Sequence, residues 1–178
     1  MTDDEDDEAM PRGSLDEALV WLAERASLER APRGALPGAI VALRHRLGRE
    51  LPASLVEFLG AYHWIDSGLV ATFAVEGSSR RTIEEARRVV AEHVAATWRA
   101  LPQVGAEARA RGEALLAWLP VAEIGDPLPF GSALFVDEDG AFRCAPVREF
   151  AVTEVRRGEA TREFTAALLT TLAEWHEG

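Results

Sequence analysis

The sequence predicts an α+β protein whose mixed, largely antiparallel sheet packs against helices. Three observations predict it. Helical stripes with start signals fill residues 14–101, interrupted by one alternating run; short apolar runs between turn signals fill residues 115–155; and a last helical stripe closes the chain. Helices first, then a strand meander, then a helix is an order that suits α+β rather than repeated βαβ units.

Residues 3–8 are six consecutive carboxylates, a block that repels itself and buries nothing. Residues 1–13 are therefore read as a disordered acidic tail and residues 14–178 as one domain. Ser14-Leu15-Asp16-Glu17 has capping-box spacing, so the Ser14 hydroxyl can take the third amide of a helix. Leu15, Leu19, Leu22 and Ala26 follow at helical spacing, and two Pro and two Gly within residues 30–38 break the pattern. A second helix carries Ile40, Leu43 and Leu47 on one face and ends at Gly48, the residue type that most easily takes the left-handed closing conformation. Pro52 sits in the first turn of a third, where an amide has no partner anyway, and Leu55, Phe58, Leu59 and Tyr62 make its stripe.

Residues 69–75 alternate, with Leu69, Ala71, Phe73 and Val75 on one side, and read as a strand. Thr82-Ile83-Glu84-Glu85 repeats the capping-box spacing. Ile83, Ala86, Val90, Val94, Trp98 and Leu101 then line a long helix inserted after that strand, punctuated by Pro102 and Gly105. Four runs, residues 115–121, 133–136, 141–144 and 150–155, read as strands. Asp137-Glu138-Asp139-Gly140 lies between two of them and contains Asp-Gly, a pair suited to a hairpin turn. A closing helix capped by Thr161 presents Phe164, Leu168, Leu172 and Trp175.

The 178 residues hold 30 acidic and 19 basic side chains, for a net charge of −11. With a pI near 4.8, duplex nucleic acid and anionic membranes are poor partners, since both need a basic surface; a basic partner is compatible. The acidic N-terminus is unlike a signal peptide and no apolar run approaches the roughly 20 residues that span a bilayer, so a cytoplasmic protein is expected. A single cysteine, Cys144, makes no internal disulfide.

Catalytic signatures are sparse. There is no phosphate-binding glycine loop and no nucleophile elbow. His45, His63, His93 and His176 lack metal-ligand spacing, so neither a metal nor another cofactor is expected. His63, at a helix end, is placed where a cation is mildly favoured. Cys144, flanked by Phe142 and Pro146 in a strand pattern, reads as a small buried hydrophobe rather than a nucleophile. The reading is non-enzymatic; a hydrolase would require a pocket uniting two of His63, Asp66, Ser67, Asp126 and Cys144.

Charge is more informative by segment. Residues 80–111 hold 7 Arg and 4 acids, whereas residues 112–142 hold Glu113, Glu123, Asp126, Asp137, Glu138 and Asp139 with no Arg. Acids on the loops of a rigid sheet form a steering surface for a basic ligand, or else serve only to solubilise turns. Five Trp are many for this length: Trp21, Trp98 and Trp175 fall on or near helical stripes and read as core. Trp64, in Tyr62-His63-Trp64-Ile65-Asp66, either anchors a partner beside Asp66 or plugs the bottom of the sheet.

The order of these motifs resembles the SUKH superfamily (Smi/Knr-like proteins). Leu47-Gly48 and Glu50-Leu51-Pro52, followed by Leu55, Phe58-Leu59 and Tyr62, is similar to its opening "LG-x-x-LP" signature. Thr82-Ile83-Glu84-Glu85-Ala86 resembles its "[LI]-E-E-A" helix start, and Ala117-Trp118-Leu119-Pro120-Val121-Ala122 its "W-[LIV]-P-[IV]-A" strand. Leu134-Phe135-Val136-Asp137 with Gly140 resembles its hairpin, and Phe164 with Leu168 its closing helix. The match spans residues 36–176 in order. The resemblance implies a bacterial immunity protein that binds a cognate protein toxin, often a nuclease or another enzyme with a basic cleft, in the cytoplasm and occludes it. A regulatory or scaffolding module of the same fold is the other role the family offers. The partner-binding residues expected are Trp64, Asp66, Glu123, Asp126, Asp137, Glu138 and Asp139, on loops within residues 63–68 and 123–140.

Overall fold

The structure is a computed structural model that describes residues 9–77, 80–101, 103–151 and 160–177. Its elements in chain order are helix α1 (Leu15–Arg25), strand β1 (Glu29–Arg30), helices α2 (Pro37–Leu47) and α3 (Ala53–Ala61), and strands β2 (Ile65–Asp66) and β3 (Val70–Thr72). Helices α4 (Ile83–Ala100) and α5 (Ala106–Ala117), strands β4 (Leu119–Ile124), β5 (Ser132–Val136) and β6 (Phe142–Pro146), and helix α6 (Phe164–His176) complete it. The strands form one sheet in chain order, β1 to β6, and each ladder between neighbours is antiparallel. The fold is α+β as expected, and among the described residues parallel pairing is confined to an isolated bridge between Ala74 and Thr82.

The local signals act as their chemistry requires. Ser14 Oγ accepts the Glu17 amide at 3.2 Å and Thr82 Oγ1 accepts the Glu85 amide at 3.2 Å, so the hydroxyls of both capping-box sequences cap their helices. Gly48 closes α2 at φ 65. Every residue of β4 is buried, which requires cover on both faces of the sheet. One side is covered by α6, where Phe164 meets Phe142 at 5.2 Å between ring centroids. On the other side, α4 packs along β4. Buried residues of all six helices and of strands β2 to β6 join one hydrophobic core.

Four expectations are corrected. Thr161 does not cap α6: Glu163 stands at the N-cap, and the Phe164 amide donates instead to Ser54 Oγ, from the first turn of α3, at 3.0 Å. Thr161 bridges Phe142 of the edge strand. The strand read at residues 115–121 starts only at Leu119, because residues 106–117 form α5, a helix without a continuous apolar stripe that buries Ala108, Gly112 and Leu115. Tertiary contacts hold it: Arg111 donates to the carbonyls of Phe150 and Ala151 at 2.6 and 2.8 Å, and Gly112 lies so close under Trp98 and Phe150 that a Cβ there would stand 2.6 and 2.9 Å from their rings.

The last predicted strand fails at its start, since Phe150 and Ala151 lie in a turn; residues 152–155 lie outside the described residues. Finally, packing begins before Ser14. Met10 is 3% exposed and its amide donates to Glu177 Oε1 at 2.8 Å, so residues 10–13 belong to the fold, while residues 1–8 lie outside the described residues.

The meander separates two loop systems. Gly125 donates its amide to the Leu69 carbonyl at 2.7 Å, so the β4–β5 loop (residues 125–131) and the β2–β3 turn share one end of the sheet. The β5–β6 turn (residues 137–141) lies at the other end, because β5 runs between the two loops. At about 3.4 Å per residue, the five residues of β5 hold the two ends about 17 Å apart.

Candidate functional site

The acid-only stretch does not form one surface. Asp137 is 4% exposed and its carboxylate is consumed by its own turn: Oδ1 accepts the amides of Asp139 and Ala141, each at 2.9 Å, and Oδ2 accepts from Arg143 Nε at 2.6 Å. Burial alone would raise its pKa, but Arg143 and the two amides outweigh that and hold the carboxyl below its usual range. Glu138 and Asp139 are exposed on the same turn.

Glu123 is 1% exposed at the centre of the sheet, between Ala71 and Ala133. Its Oε2 accepts the Leu128 amide at 3.1 Å, and its Oε1 has no hydrogen-bond partner among the described residues. Burial pushes this carboxyl above its usual range, against the Leu128 amide and the nearby Arg81 and Arg80. It cannot present charge to a partner. Asp66 is spent as well: Oδ1 accepts the Gly68 amide at 2.8 Å, and Arg80 clasps both oxygens, Nε to Oδ2 at 2.7 Å and a terminal nitrogen to Oδ1 at 3.0 Å.

Trp64 is half-buried where the chain enters β2, its carbonyl accepting the Ala31 amide at 3.1 Å beside edge strand β1. Asp126, by contrast, is exposed on the β4–β5 loop. Of the six expected carboxylates, three exposed ones remain available, one at one end of the sheet and two at the other, and Trp64 stays partly exposed.

The structure adds apolar groups that helical and strand periodicity hid. Leu69, Phe130 and Trp175 are 40%, 61% and 43% exposed, and the Leu69 backbone, the Trp175 ring and the backbone next to Phe130 meet residues 125–126. Leu69 accepts the Gly125 amide; the Trp175 ring lies over Gly125, 3.1 Å from where a Cβ would stand; and Gly131, next to Phe130, lies with its Cβ position 2.2 Å from the Asp126 carbonyl. Trp175 is thus not core: it sits in the last turn of α6, past the strands that bury Leu168 and Leu172. Trp98, half-buried with a buried indole nitrogen, follows the core reading more closely.

Two His side chains are structural. His63 takes the left-handed region, φ 64, and its Nε2 accepts the Val75 amide at 3.0 Å, so the ring is neutral; burial lowers its pKa, and the cation expected at this helix end is absent. His176 Nε2 lies 2.7 Å from Ser67 Oγ, with its pKa also lowered by burial. That Ser–His pair is not exposed as a nucleophile would be: Ser67 is 4% exposed, and its Oγ is also engaged by the amide and carbonyl of Val70 at 3.1 and 3.2 Å.

Cys144 is exposed on edge strand β6 rather than buried. Protein packed around its sulfur raises the thiol pKa, opposite to what a nucleophile needs. Two surface grooves, of about 440 Å³ beside Arg44, His45 and Arg49 and about 390 Å³ beside Asp16, Val20 and Trp21, contain none of the residues a hydrolase reading invoked. Among the described residues no group of three His, Cys, Asp or Glu is placed to hold a metal ion, and no helix is long and apolar enough to cross a membrane.

Compared with known proteins, the chain matches no protein-family model and no curated sequence. The SUKH resemblance therefore rests on the order of its motifs.

Proposed function

We propose that this protein is a bacterial immunity protein that binds a cognate toxin in the cytoplasm and neutralises it by occlusion, without chemistry of its own. The observation that carries the reading is the placement of the five motif segments. Leu47 to Pro52 makes the α2–α3 corner, Thr82 caps α4, Leu119 to Ala122 lies in β4, Asp137 to Gly140 closes the β5–β6 hairpin, and Phe164 with Leu168 buries α6 on the sheet. These are corner, cap, strand, turn and core positions, with Ala117 and Trp118 of the third segment at the end of α5. Exposed acids at both ends of the sheet suit a toxin with a basic cleft.

The test is co-expression with the product of the adjacent gene. Protection of host cells from that product, with a stable complex on purification, is the expected result. Toxicity unaffected by this protein would sink the reading, and a neighbour that is not toxic would favour the regulatory module.

A further inference from the structure

We infer that the partner docks on the β4–β5 end of the sheet, on an apolar patch of Leu69, Phe130 and Trp175 rimmed by Asp126 and Glu174, and that it presents an aromatic or aliphatic side chain flanked by Arg or Lys. The inference rests on the binding role proposed above and assigns it a surface. The three apolar residues come from distant parts of the chain, the β2–β3 turn, the β4–β5 loop and the last turn of α6, yet the Leu69 carbonyl, the Trp175 ring and Gly131 beside Phe130 all meet residues 125–126. Aromatic side chains of this kind supply most of the energy at interfaces when a partner covers them, and they are costly to leave in water otherwise.

The charge around the patch selects the occupant. Asp126 and Glu174 are exposed, and the last carbonyls of α6 add partial negative charge. Nearby Arg80 is already held by Asp66, and Arg12 pairs with Glu177. A phosphate backbone would be repelled, whereas a cationic protein segment with an apolar anchor complements both features. The opposite end of the sheet offers Glu138 and Asp139 as exposed acids, but its Asp137 is internally consumed.

The experiment uses the full chain and its variants Phe130→Ser, Asp126→Arg and the double reversal Glu138→Arg/Asp139→Arg, each checked for an unchanged melting profile. Phe130 and Asp126 are exposed, so their variants fold even if a Trp175 variant would not. The first probe is the purified product of the adjacent gene. Binding that weakens by at least about tenfold in Phe130→Ser and Asp126→Arg, and changes by no more than about twofold in the hairpin double variant, is the expected result. Equal binding by the wild type and Phe130→Ser overturns this surface while leaving the immunity role standing.

If that product fails to bind the unmodified chain, the immunity reading fails separately and a library of short random peptides decides the surface. Selected peptides that pair Arg or Lys with Trp, Phe or Leu, and that lose binding to Phe130→Ser, support it. Peptides held equally well by Phe130→Ser, or no selected peptides, overturn it.

Discussion

Asp137 shows at the scale of one residue how charge read from a sequence is reassigned by geometry. A carboxylate at the head of an Asp-Glu-Asp-Gly turn accepts its own backbone amides, and here it also holds Arg143. Asp137→Ala should therefore destabilise the protein by about 2–3 kcal/mol, the loss of two amide bonds and one charge-assisted bond, measured by urea unfolding. Reversing its exposed neighbours Glu138 and Asp139 should change stability by no more than about 0.5 kcal/mol. Since the folded pKa of Asp137 lies below its unfolded value of 3.8, its stabilising effect is present above that pH and is lost as pH falls through the folded value.

His63 works in the other direction of charge. Its folded pKa lies below 6.5, so the folded state binds fewer protons than the unfolded chain as pH falls from that value, and stability declines. The physical cause is burial of the ring, which disfavours its charged form, and the Val75 amide needs the lone pair that protonation of Nε2 would remove. His63→Asn, which tolerates the positive φ, should flatten the fall in stability below pH 6.5 in a series of chemical denaturations. The slope should shrink rather than vanish, because His176 titrates in the same sense.

Among the elements, the helices divide by where their ends are satisfied. The starts of α1 and α4 are legible because Ser14 and Thr82 bond amides three residues on, inside the same stretch of chain. The start of α6 is not legible: its first amide is taken by Ser54, which is distant in sequence and reaches it only when α3 and α6 pack. Ser54→Ala should cost about 1 kcal/mol, as loss of an N-cap does, although no local motif at residue 163 hints at it. For the same reason α5 escapes a periodicity reading. Its register is held by the Arg111 bonds to Phe150 and Ala151 and by the close approach of Gly112 to Trp98, contacts that join distant segments. A Gly112→Ala variant should lose about 1–3 kcal/mol through overpacking against those rings, read as a lower urea midpoint at an unchanged slope.

For the whole molecule, the continuity of the core has a thermodynamic consequence. The α4–α5 pair is tied to the sheet along β4 and to residues 147–151 beyond β6, so it has no boundary of its own. Tryptophan fluorescence and far-ultraviolet circular dichroism should therefore report one coincident unfolding transition; a separate early phase in either signal would show that α4 and α5 unfold independently. The same architecture divides the net charge of −11. The acids of residues 112–142 are contiguous in the chain, but an antiparallel meander sends successive loops to alternate ends of the sheet.

Most of the secondary structure and its order were legible from the chain alone, because helix caps, stripes and the Asp-Gly turn depend on neighbours within a few residues. The Asp-x-Gly turn at Asp66 carried the same local signal and marks that carboxylate as structural. What folding alone decides is which side chains remain for a partner. Burial of Glu123, the clasp of Arg80 on Asp66, and the convergence of Leu69, Phe130 and Trp175 beside Asp126 all depend on strand register and on which end of the sheet each loop reaches. Those are distances through space, set by packing both faces of one sheet, and no local pattern in the chain encodes them.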